Sequence, residues 1–173
     1  MGAHGRSVVI KAIIPMRTYC FGLIMAFAAG ACGGSSQNIK GTDVSDTGEN
    51  RDLINYVEKY RLAVERQDAP GLVLMASKDY WEDAGTPTGA DDYGYAGLKS
   101  VLAGRFQTSE EVRYSIRYLR IRRSGDQAFV EAHVHASWTL QDAQGQLIRK
   151  DKKSQEQFVL RYEGEDWKFL SGM

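Results

Sequence analysis

Cysteine is nearly absent from this 173-residue chain, which holds only Cys20 and Cys32. Both lie near the start, so no internal disulfide can staple the body of the protein. Neither charge is in excess, with 22 basic and 22 acidic residues. The balance is uneven along the chain: Arg6, Lys11 and Arg17 precede residue 32, and no acid does. The remainder is therefore mildly acidic and shows no basic stripe, which argues against nucleic acid as a partner. No apolar run is long enough to span a bilayer as a helix, since that from Tyr19 to Ala29 is too short. The acidic stretch Asp91-Asp92-Tyr93-Gly94 lacks the spacing of a calcium loop. There is no phosphate-cradling glycine loop and no nucleophile elbow, and no cofactor is expected.

What is present begins with an address. In "MRTYCFGLIMAFAAGACGGSSQ", basic Arg17 is followed by the apolar run and then by small residues, the pattern of a secretory signal. Met16 offers a compact alternative start, which would make residues 1–15 an extension. Ala29-Gly30-Ala31-Cys32 resembles the bacterial lipobox, with Ala29 where that motif usually has leucine. The resemblance implies removal of residues 1–31, lipidation of Cys32 and a place in the cell envelope, on the outer membrane facing the periplasm. The alternative is an ordinary signal peptide with a chance cysteine. Cleavage before Cys32 would also remove Cys20 and leave one thiol, which makes sense if that thiol is acylated. More than one acyl chain gives stable anchoring. "GGSSQNIKGTDVSDTGEN" follows, poor in large apolar groups, so residues 32–49 are expected to be a flexible tether.

The folded domain is expected over residues 50–173, a length suited to one globular unit. Leu53, Val57, Tyr60 and Val64 recur at helical spacing. Asp68 and Pro70 mark the start of a second, short helix. Asp91 or Asp92 is expected to cap a third, with Tyr95, Leu98, Val101 and Leu102 on one side. From Glu111 the period becomes two. Val112, Tyr114 and Ile116 alternate, and the phase then shifts to Leu119 and Ile121, which predicts a β-bulge. Ser124 to Asp126 reads as a hairpin turn. Ala128 to Leu140 then alternates strictly, and Glu156, Phe158, Leu160 and Tyr162 share a face of a later strand. Helices followed by an antiparallel meander give an α+β domain with helices on one face of a bent sheet.

This order, with the closing "GEDWKF", resembles the nuclear transport factor 2-like superfamily and its SnoaL-like and ketosteroid-isomerase-like branches. The resemblance implies a cone in which a curved sheet wraps a long helix and a pocket opens between them. That superfamily holds enzymes and non-enzymes, so the fold does not by itself assign an activity. Tyr60 stands eight residues before Asp68, as in the ketosteroid isomerase pattern, and "WED" ends in Asp83, one residue nearer to Asp68 than that pattern has it. Glu156, ahead of Gln157-Phe158, stands where that family has an aspartate. The likeness implies Asp83 as a general base, with Tyr60 and Glu156 as neutral donors. Each residue also has a structural reading: Tyr60 as core, Asp83 as a turn-holder, Glu156 as a solvent-reached strand residue. Trp81, Tyr93, Tyr95 and Trp138 are the expected pocket aromatics. The domain is expected to bind a small, partly apolar ligand or a partner protein without required catalysis, and the alternative is a cofactor-independent isomerase or dehydratase.

His133 and His135 point the same way on one strand, but no third ligand is firmly placed, so no metal site is expected. With Phe129, Val159 and Arg161 they are expected on the outer sheet face, which is either a homodimer contact or a solvated face of a monomer. The anchoring expectation has a direct test. Cys32→Ser should release the protein from membranes and abolish labelling by a fatty-acid probe. Unchanged retention and labelling would exclude Cys32 as the anchor.

Overall fold

A computed structural model describes residues 37–142 and 144–173 of the chain. The expected signal segment, Cys32 and the first tether residues lie outside the described residues. The elements run α1 (Gly48–Glu65), α2 (Ala69–Met75), β1 (Trp81–Glu82), β2 (Tyr93–Gly94), α3 (Tyr95–Gln107), β3 (Ser109–Ser124), β4 (Gln127–Gln141), β5 (Leu147–Glu163) and β6 (Asp166–Ser171). The last four form one antiparallel sheet in the order β3-β4-β5-β6, and β1 pairs with β2. The domain is α+β, with helices on the concave face of a curved sheet.

The helices begin where side chains satisfy their free amides. Thr47 Oγ1 accepts the Asn50 amide at 3.2 Å. Asp68 Oδ1 accepts the Gly71 amide at 2.9 Å, with Pro70 in the first turn. The folded domain starts earlier than residue 50, which corrects the expected tether. Asn38 bridges to Ser45, the Asp43 amide donates to the Tyr118 carbonyl at 3.1 Å, and Val44 is buried. Val44 and Ile39 are the two large aliphatic groups in an otherwise polar stretch, and both pack on the core.

Strict alternation on β4 buries Ala128, Val130, Ala132 and Val134 on the helix-facing side. Their neighbours on β5 include Leu160 and Phe158, and Leu160 pairs in turn with Phe169 of β6. The expected bulge is present, one step later than the sequence suggests. Tyr118 stays in phase, buried and opposite Ala132, and the register shifts between Tyr118 and Arg120. A second shift lies between Glu110 and Arg113, where Glu111 has φ 48°. These irregularities bend β3.

The core of the cone is aromatic. Tyr60 of α1 has ring centroids 5.6 Å from Phe158 and 5.1 Å from Phe169. Phe158 and Phe169 meet edge-on at 6.0 Å, and Tyr56 lies 5.6 Å from Phe169. Such contacts add to the burial of the rings themselves. Phe169→Ala should cost about 3–5 kcal/mol in urea unfolding, because the cavity it leaves is walled by rigid rings. Leu74→Ala, at a side chain 71% exposed, should cost less than about 0.5 kcal/mol. Comparable losses for the two would contradict this account of the core.

Candidate functional site

The segment after α2 is clamped to the sheet edge before it turns towards the cone's mouth. Ala76 bridges to Phe169, and the Ser77 amide donates to the Phe169 carbonyl at 2.9 Å. Buried Ser77 donates from Oγ to Glu163 Oε1 at 2.7 Å and accepts from Arg161 Nη2 at 3.0 Å. That serine bond and Arg161 hold the Glu163 carboxyl below the usual carboxylate range. The chain then forms β1, pairs Glu82 with Tyr93 across the loop, and enters α3.

Asp91 and Asp92 do not cap α3, a correction to the expectation. Its N-cap is Gly94, with no side-chain cap bond, because the β1–β2 pairing moves the helix start beyond the reach of either carboxylate. Both acids hold the loop instead: Asp91 accepts from Thr86 Oγ1, and Asp92 Oδ1 accepts the Ala84 amide at 3.2 Å. Asp83 Oδ1 likewise accepts the Gly85 amide at 2.8 Å, a turn that Gly85 permits with φ 85°.

Between this loop, α1, α3 and the sheet lies a cavity of about 330 Å³. Tyr60, Asp83 and Glu156 all line it, as do Glu82, Tyr93 and Tyr114. The three residues singled out by resemblance therefore meet at one cavity. Tyr60 serves the core and the cavity at once: its ring packs on Phe158, and it also forms part of the cavity wall. Burial pushes the Tyr60 hydroxyl well above the usual phenol range, and neighbouring Tyr114 adds to the shift. Burial also pushes Tyr114 up to about 12. Both phenols are thus neutral donors across the ordinary pH range.

Tyr114 was legible only as a core-facing strand residue. Beside the register shift between Glu110 and Arg113, Glu65 Oε1 of α1 accepts the Tyr114 amide at 3.0 Å and fixes it against Tyr60. Glu156 has a side chain 34% exposed, with Oε1 3.8 Å from Lys152 Nζ. It is a half-open wall residue beside a cation rather than a sealed acid. Asp83 is exposed at the rim. Its neighbour Glu82 is held more firmly, with Oε2 accepting from Tyr80 Oη and from the Gly172 amide, each at 2.7 Å. A Cβ at Gly172 would come 2.6 Å from the Gln157 carbonyl oxygen, so this close approach needs glycine.

A second cavity, of about 500 Å³, adjoins the first and shares Arg105, Tyr114 and Lys152 with it. Its wall is largely apolar, with Val64, Phe106, Val112, Trp138 and Leu140. The expected pocket aromatics divide accordingly. Tyr93 lines the polar cavity and Trp138 the apolar one. Trp81 is 57% exposed and stands outside both, with its ring over Gly94. Tyr95 also stands outside both, with Lys78 Nζ 3.8 Å from its ring centroid.

The outer sheet face is more basic than its expected mixture of apolar and polar groups. Arg113, Arg117, Arg120 and Arg122 of β3 fall opposite outward residues of β4, and Lys153 pairs with His135. The sequence impression of no basic stripe therefore fails on this face. Acids interrupt it: Glu131 takes Arg120 at 2.7 Å, Asp43 takes Arg117 at 3.3 Å and Asp151 takes His135 at 2.9 Å. Phe129 is half-buried, with the Arg122 guanidinium 5.2 Å from its ring centroid. An open depression of about 550 Å³ here is lined by Arg117, His133, His135 and Lys153. It is larger than the two inner cavities but lacks their enclosure. Among the described residues, no three His, Cys, Asp or Glu side chains converge to hold a metal.

No protein-family model and no curated protein sequence matches the chain. Solved structures do. A scytalone dehydratase-like protein from Novosphingobium aromaticivorans is 15% identical with a TM-score of 0.63, over 71% of this chain and 80% of that one. A ketosteroid isomerase-like protein from Erwinia carotovora atroseptica is 23% identical with a TM-score of 0.58, over 73% of this chain and 94% of that one. A conserved protein from Planctomyces limnophilus is 14% identical with a TM-score of 0.60, over 71% and 91%. The fold is thus the nuclear transport factor 2-like cone that the element order resembles.

The buried phenols make a pH prediction. An unfolded tyrosine ionises near pH 10, whereas Tyr60 in the fold ionises only well above that. Its contribution to stability is present below about pH 10 and is lost as pH rises further, by up to about 1.4 kcal/mol per pH unit. Tyr60→Phe should make the alkaline fall in urea-unfolding free energy shallower by about that slope. An unchanged slope between pH 10 and 11 would show that the hydroxyl is not sealed.

Proposed function

We propose that the domain binds a small, partly apolar organic ligand inside the cone and that Cys32 anchors it in the cell envelope. The observation behind the binding reading is the pairing of a polar cavity with an apolar one across a shared wall of Arg105, Tyr114 and Lys152. Small-molecule sites have this character, an apolar body with a few placed polar groups, at roughly 300–1,000 Å³. The anchoring reading rests on the signal pattern and Cys32 in the sequence. Native mass spectrometry of the purified full chain tests the binding reading. A bound small molecule should be present in the wild type and depleted by Trp138→Ala. A wild type that releases no organic molecule and binds none from a library of small amphiphiles would refute it.

The second reading is a cofactor-independent isomerase or dehydratase. It is favoured by the convergence of Tyr60, Asp83 and Glu156 on one cavity. Asp83 would take a proton from an acidic C–H, and the neutral hydroxyls of Tyr60 and Tyr114 would meet the developing oxyanion. Glu156 is the other donor that the resemblance implies. Two structures with this fold are a dehydratase-like and an isomerase-like protein, which supports this class of chemistry by analogy. The turn that Asp83 makes with Gly85 occupies one of its oxygens and leaves the other for a base. Under this reading a bound ligand should exchange a carbon-bound hydrogen with deuterated water. Asp83→Asn should slow that exchange by about 100-fold or more without releasing the ligand. Equal exchange in the two proteins would leave binding as the sole function.

A further inference from the structure

We propose that the ligand is a small organic acid, its anionic head held at the junction of the two cavities by Arg105 and Lys152 and its apolar body lying against Trp138. This rests on the ligand-binding reading and narrows it to a chemical class. The apolar cavity has two charged residues on its wall, both cations: Arg105 and Lys152. A cationic guest would be repelled, and a neutral guest would leave the open donors of Arg105 unused.

Arg105 is the stronger anchor because of what it does not touch. Arg61, Arg117, Arg120, Arg123 and Arg161 each hold a carboxylate within 3.3 Å. Arg105 makes no ion pair among the described residues, and its polar partner is a phenol, Tyr93 Oη, 3.3 Å from Nη2. The guanidinium lies 5.9 Å from the Tyr93 ring centroid. It also lines both cavities, at the point where they meet. Although burial holds the Tyr60 and Tyr114 phenols up, the charge of Arg105 pulls against that shift on each, so its field reaches both hydroxyls. A guanidinium with open donor positions donates two parallel hydrogen bonds to a carboxylate, a charge-assisted contact that a neutral group cannot reproduce.

Lys152 contributes less, since Glu156 stands 3.8 Å away. The carboxylates Glu82, Asp83 and Glu156 all lie on the polar side. They disfavour deeper entry of an anion there, so the head stops at the junction and the body fills the apolar side. The orientation follows from this asymmetry of charge.

Isothermal titration of the full chain with 4-phenylbutyrate and with its neutral isostere 4-phenylbutyramide tests the proposal. The acid should bind about tenfold or more tightly than the amide. Arg105→Gln should abolish that preference by weakening the acid alone, and Arg105→Lys should keep part of it. Trp138→Ala should weaken both probes. Arg105 is exposed on α3, so the substitution spares the core, and a circular dichroism spectrum checks this. If acid and amide bind alike in the wild type, the anion proposal falls while the ligand-binding reading stands. If Arg105→Gln weakens both probes equally, Arg105 shapes the wall rather than reading charge, and the proposal also falls. If neither probe binds and the library of amphiphiles also fails, both fall together.

Discussion

Packing of the Tyr60 ring against Phe158 and Phe169 is the contact on which the rest of the cone depends. It ties α1 to the two strands that close the sheet, and it does so at the border between dry core and cavity. The ring supplies apolar area, while the hydroxyl must remain protonated in a place that penalises its anion. One side chain thus joins stability to the polarity of the site. The same helix sets the neighbouring wall, because Glu65 holds the Tyr114 amide beside the shift between Glu110 and Arg113. Curvature of β3, the position of Tyr114 and the space left beneath α3 have a common origin in that irregular strand end.

Much of this was legible in the sequence, for a physical reason. Alternation on β4 reports burial on one face directly, so Ala128 to Val134 fall where the pattern puts them. The Asp68 cap and the turn after Ser124 are local, and local chemistry suffices to read them. The meeting of Tyr60, Asp83 and Glu156 is not local. It came from resemblance to a family pattern and could not have come from spacing alone.

The misreadings share a cause: long-range pairing. Asp91 and Asp92 look like caps because they precede a helical pattern, but Tyr93 and Gly94 pair with a strand more than ten residues upstream. Val44 sits in a polar stretch that looks unable to fold, yet the Asp43 amide finds the Tyr118 carbonyl on a distant strand. The arginines of β3 look scattered in sequence, and only the bulge at Leu119 returns Arg120 and Arg122 to the face that already holds Arg113 and Arg117. Arg105 carries no signature at all. An arginine in the last turn of a helix is ordinary by the dipole argument, and its interest lies in the missing counter-charge.

The bulges in β3 also bear on solubility. A strand of 16 residues at the margin of a sheet offers a row of free amides and carbonyls to any passing chain, the usual seed of edge-to-edge aggregation. Here the row is broken twice by register shifts and crossed midway by the Asp43 amide. It is also flanked by arginine side chains that an incoming strand would have to strip of their partners. A protein that keeps an open cavity within a bent sheet is thereby protected, by the bend itself, from growing another strand.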